Sequence, residues 1–342
     1  MSTTFAIPTN SIITLQSNGD DDFSLIATMD GAAIRIEKDG ALTLENIIVT
    51  RTVGDKSYGI ANSGTLVMNG GFVTNHTDAG IVNWWTLMMN GGSVHNNGSR
   101  WASTSIAGGV DNQGYFLMND GIIRDNVGIG VYNHGLRGGT FIMNNGVISG
   151  HRGHGQIESG SGVHNNGLFT MHGGDINDNS CFMHSRGGGV FNRHTFIMEG
   201  GSIQNNNGRC GGVRNSGSFT MNGGTIRGNN ATENGGGIAN GINRTFTMNG
   251  GTIENNNAQQ SGGGVYNYLG KFVMNDGIIS DNTAGENGGG VELFENNTFD
   301  LNGGWIYNNN ASLGADVRLG GGTFNNNISD PSIGAIGNPP PQ

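Results

Sequence analysis

The stretch Thr245-Phe246-Thr247-Met248-Asn249-Gly250-Gly251-Thr252-Ile253-Glu254-Asn255-Asn256 recurs, with substitutions, along most of the chain. Self-similarity at a period of roughly 20–50 residues restricts a chain to solenoids, propellers and related arrays. The copies are anchored at Met68, Met89, Met118, Met143, Met171, Met198, Met221, Met248, Met274 and Leu301, in steps of 21 to 29 residues. Two residues before each anchor stands another large apolar residue: Leu66, Leu87, then Phe from Phe116 to Phe299. Positions i and i+2 of a strand share one face, so both point into a core once per repeat.

Five residues after every anchor comes a third apolar column, from Val73 and Val94 to Ile279 and Ile306. The corner between is usually Asn-Gly-Gly, and Gly supplies the positive φ that a sharp bend between two strands needs. A fourth column runs from Ile60 and Ile81 to Val291 and Val317. In most copies an Asn follows two residues later, as in Val265-Tyr266-Asn267. The intervening residue varies from Ala to Tyr, Arg or Glu and is expected to face outward. The Asn is expected to stack inside the core, because unpaired buried amides are costly.

Three short strands per turn with Gly and Asn corners predict an all-β chain: a right-handed parallel β-helix (β-solenoid) of roughly 11–12 turns. A propeller blade, the competing architecture at this period, needs roughly 40 or more residues. Residues 1–39 read as irregular N-terminal strands and first turns, 40–325 as the repeats, and 326–342 as a Pro-containing tail. The run Ala41–Ile48, the copy Gly64–Gly71 and the recurring Gly262-Gly263-Gly264-Val265-Tyr266-Asn267 resemble the pectin-lyase-like right-handed β-helix repeats of bacterial surface and adhesin-type proteins. The resemblance covers roughly residues 40–325 and concerns fold rather than activity. It implies an exposed, non-catalytic stalk.

The 65 Gly and low charge density suit disorder, but the regular apolar columns oppose it. The net charge of −10 and the lack of any Lys/Arg run argue against nucleic acid as a partner. No segment has the apolar length of a membrane helix, and Met1–Asn10 lacks the pattern of a signal peptide. The expected location is extracellular, on a cell or virion surface. Cys181 and Cys210 are read as free thiols, with pairing between neighbouring turns as the alternative.

Chemistry is sought where the copies differ. The connection from the third to the fourth column is longest after Val94, Ile148 and Ile176, with a short one after Ile123 between the first two. This predicts a notch between loops 95–109 and 149–162. Trp84, Trp85, Arg100, Trp101, His151, Arg152 and Glu158 are its candidate glycan-binding residues, as aromatics beside charged groups suit sugar rings. Glu158 and Asp178 are conceivable paired carboxylates, but nothing in their spacing selects them. His151, His154, His164 and His172 lack a recognised metal-ligand spacing and read as solvated loop residues; Asp20-Asp21-Asp22 reads as a solvated turn. No metal or cofactor is expected.

The outer Thr/β-branched stripe (Thr65/Val67, Thr245/Thr247) resembles ice-binding faces, but Tyr115, Leu168 and Lys271 interrupt it. Phe324, the last of its column, and Pro339, Pro340 and Pro341 are candidate self-association residues at a weakly capped end. The expected function is a non-enzymatic surface solenoid that associates with itself into a filament or fibre. The alternative is a polysaccharide-binding adhesin or tailspike-like module; a polysaccharide-degrading enzyme and an ice-binding protein rank below it.

Overall fold

The computed structural model describes residues 4–17, 23–28, 30–52, 57–98, 107–136, 138–153, 161–181, 187–329 and 334–337. Its strands form an all-β parallel β-solenoid of about 11 turns with three strands per turn, and no helix occurs among the described residues. The chain divides into two compact units, Met1–His154 with Gly162–Phe169, and Gly155–Ser161 with Thr170–Gln342.

In the first unit each turn supplies one strand to each of three sheets. The Asn sheet pairs Ile60–Asn62 with Ile81–Asn83, the Phe–Met sheet pairs Thr65–Met68 with Thr86–Met89, and the Ile sheet pairs Phe72–Thr74 with Ser93–His95. The second unit repeats this register, as in Val265↔Ile238, Phe246↔Phe272 and Ile253↔Ile279. Identical columns therefore stack on themselves. Phe219, Phe246, Phe272 and Phe299 are fully buried, with centroids 5.0, 4.8 and 4.5 Å apart and nearly parallel rings. That is the strand spacing itself, so backbone pairing and ring stacking are satisfied together.

The corner after each Met shows why the repeat needs glycine. Gly251 has φ +86°, and a Cβ there would lie 2.7 Å from both the Gly224 carbonyl oxygen and the Met221 methyl of the turn before. The Met side chain thus packs beneath the next corner, in space only a glycine leaves.

The expected Asn stack is present in both units. Asn62, Asn83, Asn112, Asn133 and Asn165 are linked by amide-to-carbonyl bonds of 2.7–2.8 Å in the first, and Asn192, Asn215, Asn240 and Asn267 by bonds of 2.8–2.9 Å in the second. A second buried ladder, three residues after the Ile column, was not anticipated. In the second unit it runs through Asn179, Asn206, Asn229, Asn256, Asn282 and Asn309. The neighbouring stretch, expected as plain loop, forms two-residue strands such as Asn230–Ala231 and Asn257–Ala258, because Asn257 N–H donates to Asn229 O at 2.8 Å.

The variable residue after each fourth-column Val or Ile lies on the strand face opposite the core, yet Ala61, Val82, His164, Phe191, Ala239 and Glu292 are buried. In the second unit the preceding loop folds back over this face. Gly235 and Gly262, at φ +73° and +69°, leave no room for a Cβ above Ala239 and Tyr266.

Candidate functional site

The corner from the Asn sheet to the Phe–Met sheet usually reads Asn-x-Gly: Asn62-Ser63-Gly64, Asn112-Gln113-Gly114, Asn165-Asn166-Gly167. In one turn it reads Asn83-Trp84-Trp85. Two indoles then replace a small residue and a glycine. The next corner returns to Gln113-Gly114, and a Cβ on Gly114 would overlap the Trp85 carbonyl. A wide corner followed by a narrow one leaves a step.

That step opens into a cleft of about 980 Å³ in the first unit. Ala61, Ser63, Gly114 and Gly138 give it a low floor. Its aromatic walls are Trp84, Trp85, Tyr58 and Tyr115, with Trp85 62% and Tyr115 38% exposed. Arg35, Glu37 and Lys38 supply charge, and Gln113, Thr86 and Thr140 supply neutral hydrogen-bonding groups. Arg35, Ala61 and Val82 are register partners across three turns, and Thr86, Tyr115 and Thr140 across three more strands. The cleft therefore spans about five turns, or roughly 20 Å at the usual strand spacing. Among the described residues Arg35, Glu37 and Lys38 make no ion pair.

The backbone beneath the cleft is fixed by the first Asn ladder. Asn83 Nδ2 donates to Tyr115 O at 3.0 Å, and Tyr115 N–H donates to Trp85 O at 2.7 Å. The two aromatic positions are thereby held to one another through the backbone. Burial raises the Tyr58 phenol above its ordinary pKa, with Asp78 and Asp111 adding to the effect, so it is a neutral donor at physiological pH.

The sequence-derived candidates separate into four groups. Trp84 and Trp85 line the cleft. Arg152 is exposed on the short strand Arg152–Gly153 and does not line it. Arg100, Trp101 and Glu158 lie outside the described residues, as do His154 and Pro339–Pro341.

His151 is a correction: it is fully buried and presents nothing to a ligand. It takes the place of an Asn in the second ladder of the first unit. Elsewhere in that ladder Asn126 Nδ2 donates to Val94 O at 2.9 Å, while its Oδ1 accepts from Asn97 N–H at 2.9 Å. His151 reproduces both contacts, Nε2 with Ile123 O at 3.0 Å and Nδ1 with Asn126 N–H at 3.3 Å. The Ile123 carbonyl can only accept, which places the proton of the neutral ring on Nε2; Nδ1 lies between Asn126 N–H at 3.3 Å and Asn126 O at 3.4 Å and in that tautomer accepts from the N–H. Burial lowers its pKa to about 4, against the backbone hydrogen bonds that raise it. His164 is also buried rather than solvated, its ring 4.8 Å from Tyr132.

Among the described residues no three His, Cys, Asp or Glu side chains gather closely enough to share a metal ion. Cys181 and Cys210 are not joined in a disulfide; Cys181 donates to Gly187 O at 2.7 Å, and burial raises its pKa to about 11. Phe324 is half-buried and stacks on Phe299 at 5.2 Å.

Tyr58, Tyr115, Arg35, Glu37 and Lys38 were missed as site residues. Tyr115 carried a signal, since it breaks a column of Thr. Arg35, Glu37 and Lys38 come from a turn too degenerate for the repeat to align, and Tyr58 from the variable stretch before the Ile60 column. Comparison of the chain with protein-family models, curated proteins and solved structures returned no match.

Proposed function

We propose that the protein is a surface-exposed, non-catalytic β-solenoid that binds polysaccharide along the Trp84–Trp85 cleft. The observation that carries this reading is the lining itself. Flat aromatic faces and polar side chains rise from a floor of small residues over about five turns, which suits a linear chain of sugar rings: apolar ring faces against indole and phenol, hydroxyls against Gln113, Arg35 and Glu37. Among the described residues Glu37 is the single carboxylate in the lining. Glycoside hydrolysis uses two carboxyl groups roughly 5–9.5 Å apart, so the lining favours binding over cleavage.

Trp85→Ala is the direct test, read by oligosaccharide retention and calorimetry. Trp85 is largely exposed, so the urea midpoint should stay at the wild-type value while affinity falls about tenfold, or about 1.4 kcal/mol. Wild-type affinity in Trp85→Ala, or no retention of any oligosaccharide by the native protein, would sink the proposal.

A second reading, self-association, rests on the outermost strands. In the first unit Phe5–Ile7, Ile12–Gln16 and Phe23–Ala27 each pair on one side only among the described residues. Ile12 is 86% and Phe23 64% exposed there. Unpaired, apolar strand edges are templates for another chain, here a second copy in parallel register. Sedimentation across a hundredfold range of concentration tests it, and a monomer throughout rejects it.

A further inference from the structure

The device that opens the first cleft recurs in the second unit with different chemistry. There the corner Asn192-Arg193-His194 replaces Asn-x-Gly, the next corner is Asn215-Ser216-Gly217, and the one after it widens again to Asn240-Gly241-Ile242-Asn243-Arg244. A Cβ on Gly217 would overlap the His194 carbonyl oxygen, so the middle corner stays narrow. The result is a pocket of about 310 Å³ with Arg193 and His194 on one side, Asn243 and Arg244 on the other, and Ser218 between.

Its charge sets it apart. The chain carries 26 acidic residues against 16 Lys and Arg, yet among the described residues this lining holds three basic side chains and no carboxylate. Among the described residues neither guanidinium has an ion-pair partner. The Arg193 guanidinium carbon lies over the ring of Phe191, 5.7 Å from its centroid, and stacking on the ring face leaves the N–H groups at the guanidinium edge directed away from it. Arg244 is fixed at its backbone, where N–H donates to Gly241 O at 3.1 Å and its carbonyl accepts from Lys271 N–H at 2.8 Å. Two forked donors from alternate turns, with a narrow turn between, can converge on one planar or tetrahedral anion.

We propose that this pocket binds the carboxylate or sulfate ester of an acidic saccharide. The choice of a saccharide over another acidic molecule rests on the carbohydrate-binding function proposed above; the anion preference rests on the pocket alone. The volume supports the choice, since it exceeds what a bare oxyanion needs and leaves room for a ring beside Ser218 and Asn243.

The test is titration calorimetry of the intact protein with a uronate tetrasaccharide, a sulfated tetrasaccharide, a neutral tetrasaccharide and inorganic sulfate. The variants are Arg193→Gln/Arg244→Gln and Trp85→Ala. The wild type should bind at least one acidic tetrasaccharide, more weakly as salt rises. The double Gln variant should lose at least tenfold on that ligand, with an unchanged unfolding transition and unchanged neutral binding. Acidic binding that survives the double substitution, or no acidic binding by the wild type, overturns the proposal. Inorganic sulfate bound as tightly as the sulfated tetrasaccharide overturns the saccharide assignment. Acidic binding lost in the double Gln variant, with neutral binding unaltered in Trp85→Ala, supports this pocket and instead refutes the cleft.

Discussion

Substituting His151 by Asn isolates one rung of a buried ladder and converts it into a measurable pH dependence. His151 is fully buried, and its two ring nitrogens reproduce the donor and acceptor of the Asn rungs above it. Its pKa is lowered to about 4 from an ordinary 6.5, chiefly by burial. Between those values the unfolded chain binds a proton that the folded chain refuses. Stability therefore rises with pH through this window and is lost as pH falls from 6.5 towards 4. At pH 5 the deficit from this one residue is about 2 kcal/mol, and it approaches about 3 kcal/mol near pH 4.

His151→Asn restores the rung found elsewhere and has no proton to take up. At pH 7.5 the variant should match the wild type within about 0.5 kcal/mol, because one neutral donor–acceptor pair replaces another. At pH 5 it should be more stable by about 2 kcal/mol. Urea unfolding followed by circular dichroism at both pH values reads the difference. Arrays of turns can open locally, so exchange of the Asn126 amide, which donates to His151, gives a site-specific readout. His76, whose pKa is also lowered to about 4, keeps its own acid sensitivity in both proteins and cancels in the comparison. Parallel acid dependence in wild type and His151→Asn would refute the assignment of His151 as a neutral rung.

Phe246→Ala removes a ring held between Phe219 and Phe272; a loss of about 3–5 kcal/mol is expected, and a urea-derived loss below about 1 kcal/mol would show that the stack relaxes around the gap. Arg318→Met strips the partner, 2.6 Å away, from the fully buried carboxylate of Glu292. The expected loss is about 3 kcal/mol at neutral pH. Burial raises the Glu292 pKa, so its neutral form is favoured in the fold and the defect should shrink as pH falls through that raised value. Equal defects at pH 7.5 and pH 4.5, by the same urea assay, would contradict this.

The apolar columns were legible because their spacing never varies: Phe246, Met248 and Ile253 stand at fixed offsets in nearly every copy. The first Asn ladder was legible for the same reason. The second was hidden by its own composition. Asn255, Asn256 and Asn257 are indistinguishable in sequence, yet Asn255 makes the turn at φ +54°, Asn256 is the buried rung, and Asn257 begins a short strand with its amide on Asn230. Only the backbone conformation separates them. His151 was misplaced as a consequence, since a rung cannot be recognised before its ladder is. The cleft was half visible. Trp84 and Trp85 stand out against an Asn-x-Gly corner, whereas Arg35 and Glu37 belong to a turn whose register appears only once the strands are paired, and Tyr58 to a connection of variable length.

The corners carry different side chains over an unchanged ladder. The rung below each wide corner does not depend on what the corner carries. Asn83 Nδ2 reaches Asn112 Oδ1 at 2.7 Å and Tyr115 O at 3.0 Å beneath two tryptophans. Asn192 Nδ2 reaches Asn215 Oδ1 and Ser218 O at 2.9 Å beneath an arginine and a histidine. The hydrogen bonds that a sharp corner would leave unmet are supplied from inside, so the outer side chains are free of that duty. The same bonds fix the backbone under the aromatic or basic groups and reduce the ordering cost a ligand would otherwise face. A ladder that spares the corner from structural work, and also holds it still, makes that corner the position where a uniform repeat can acquire a binding site without losing its register.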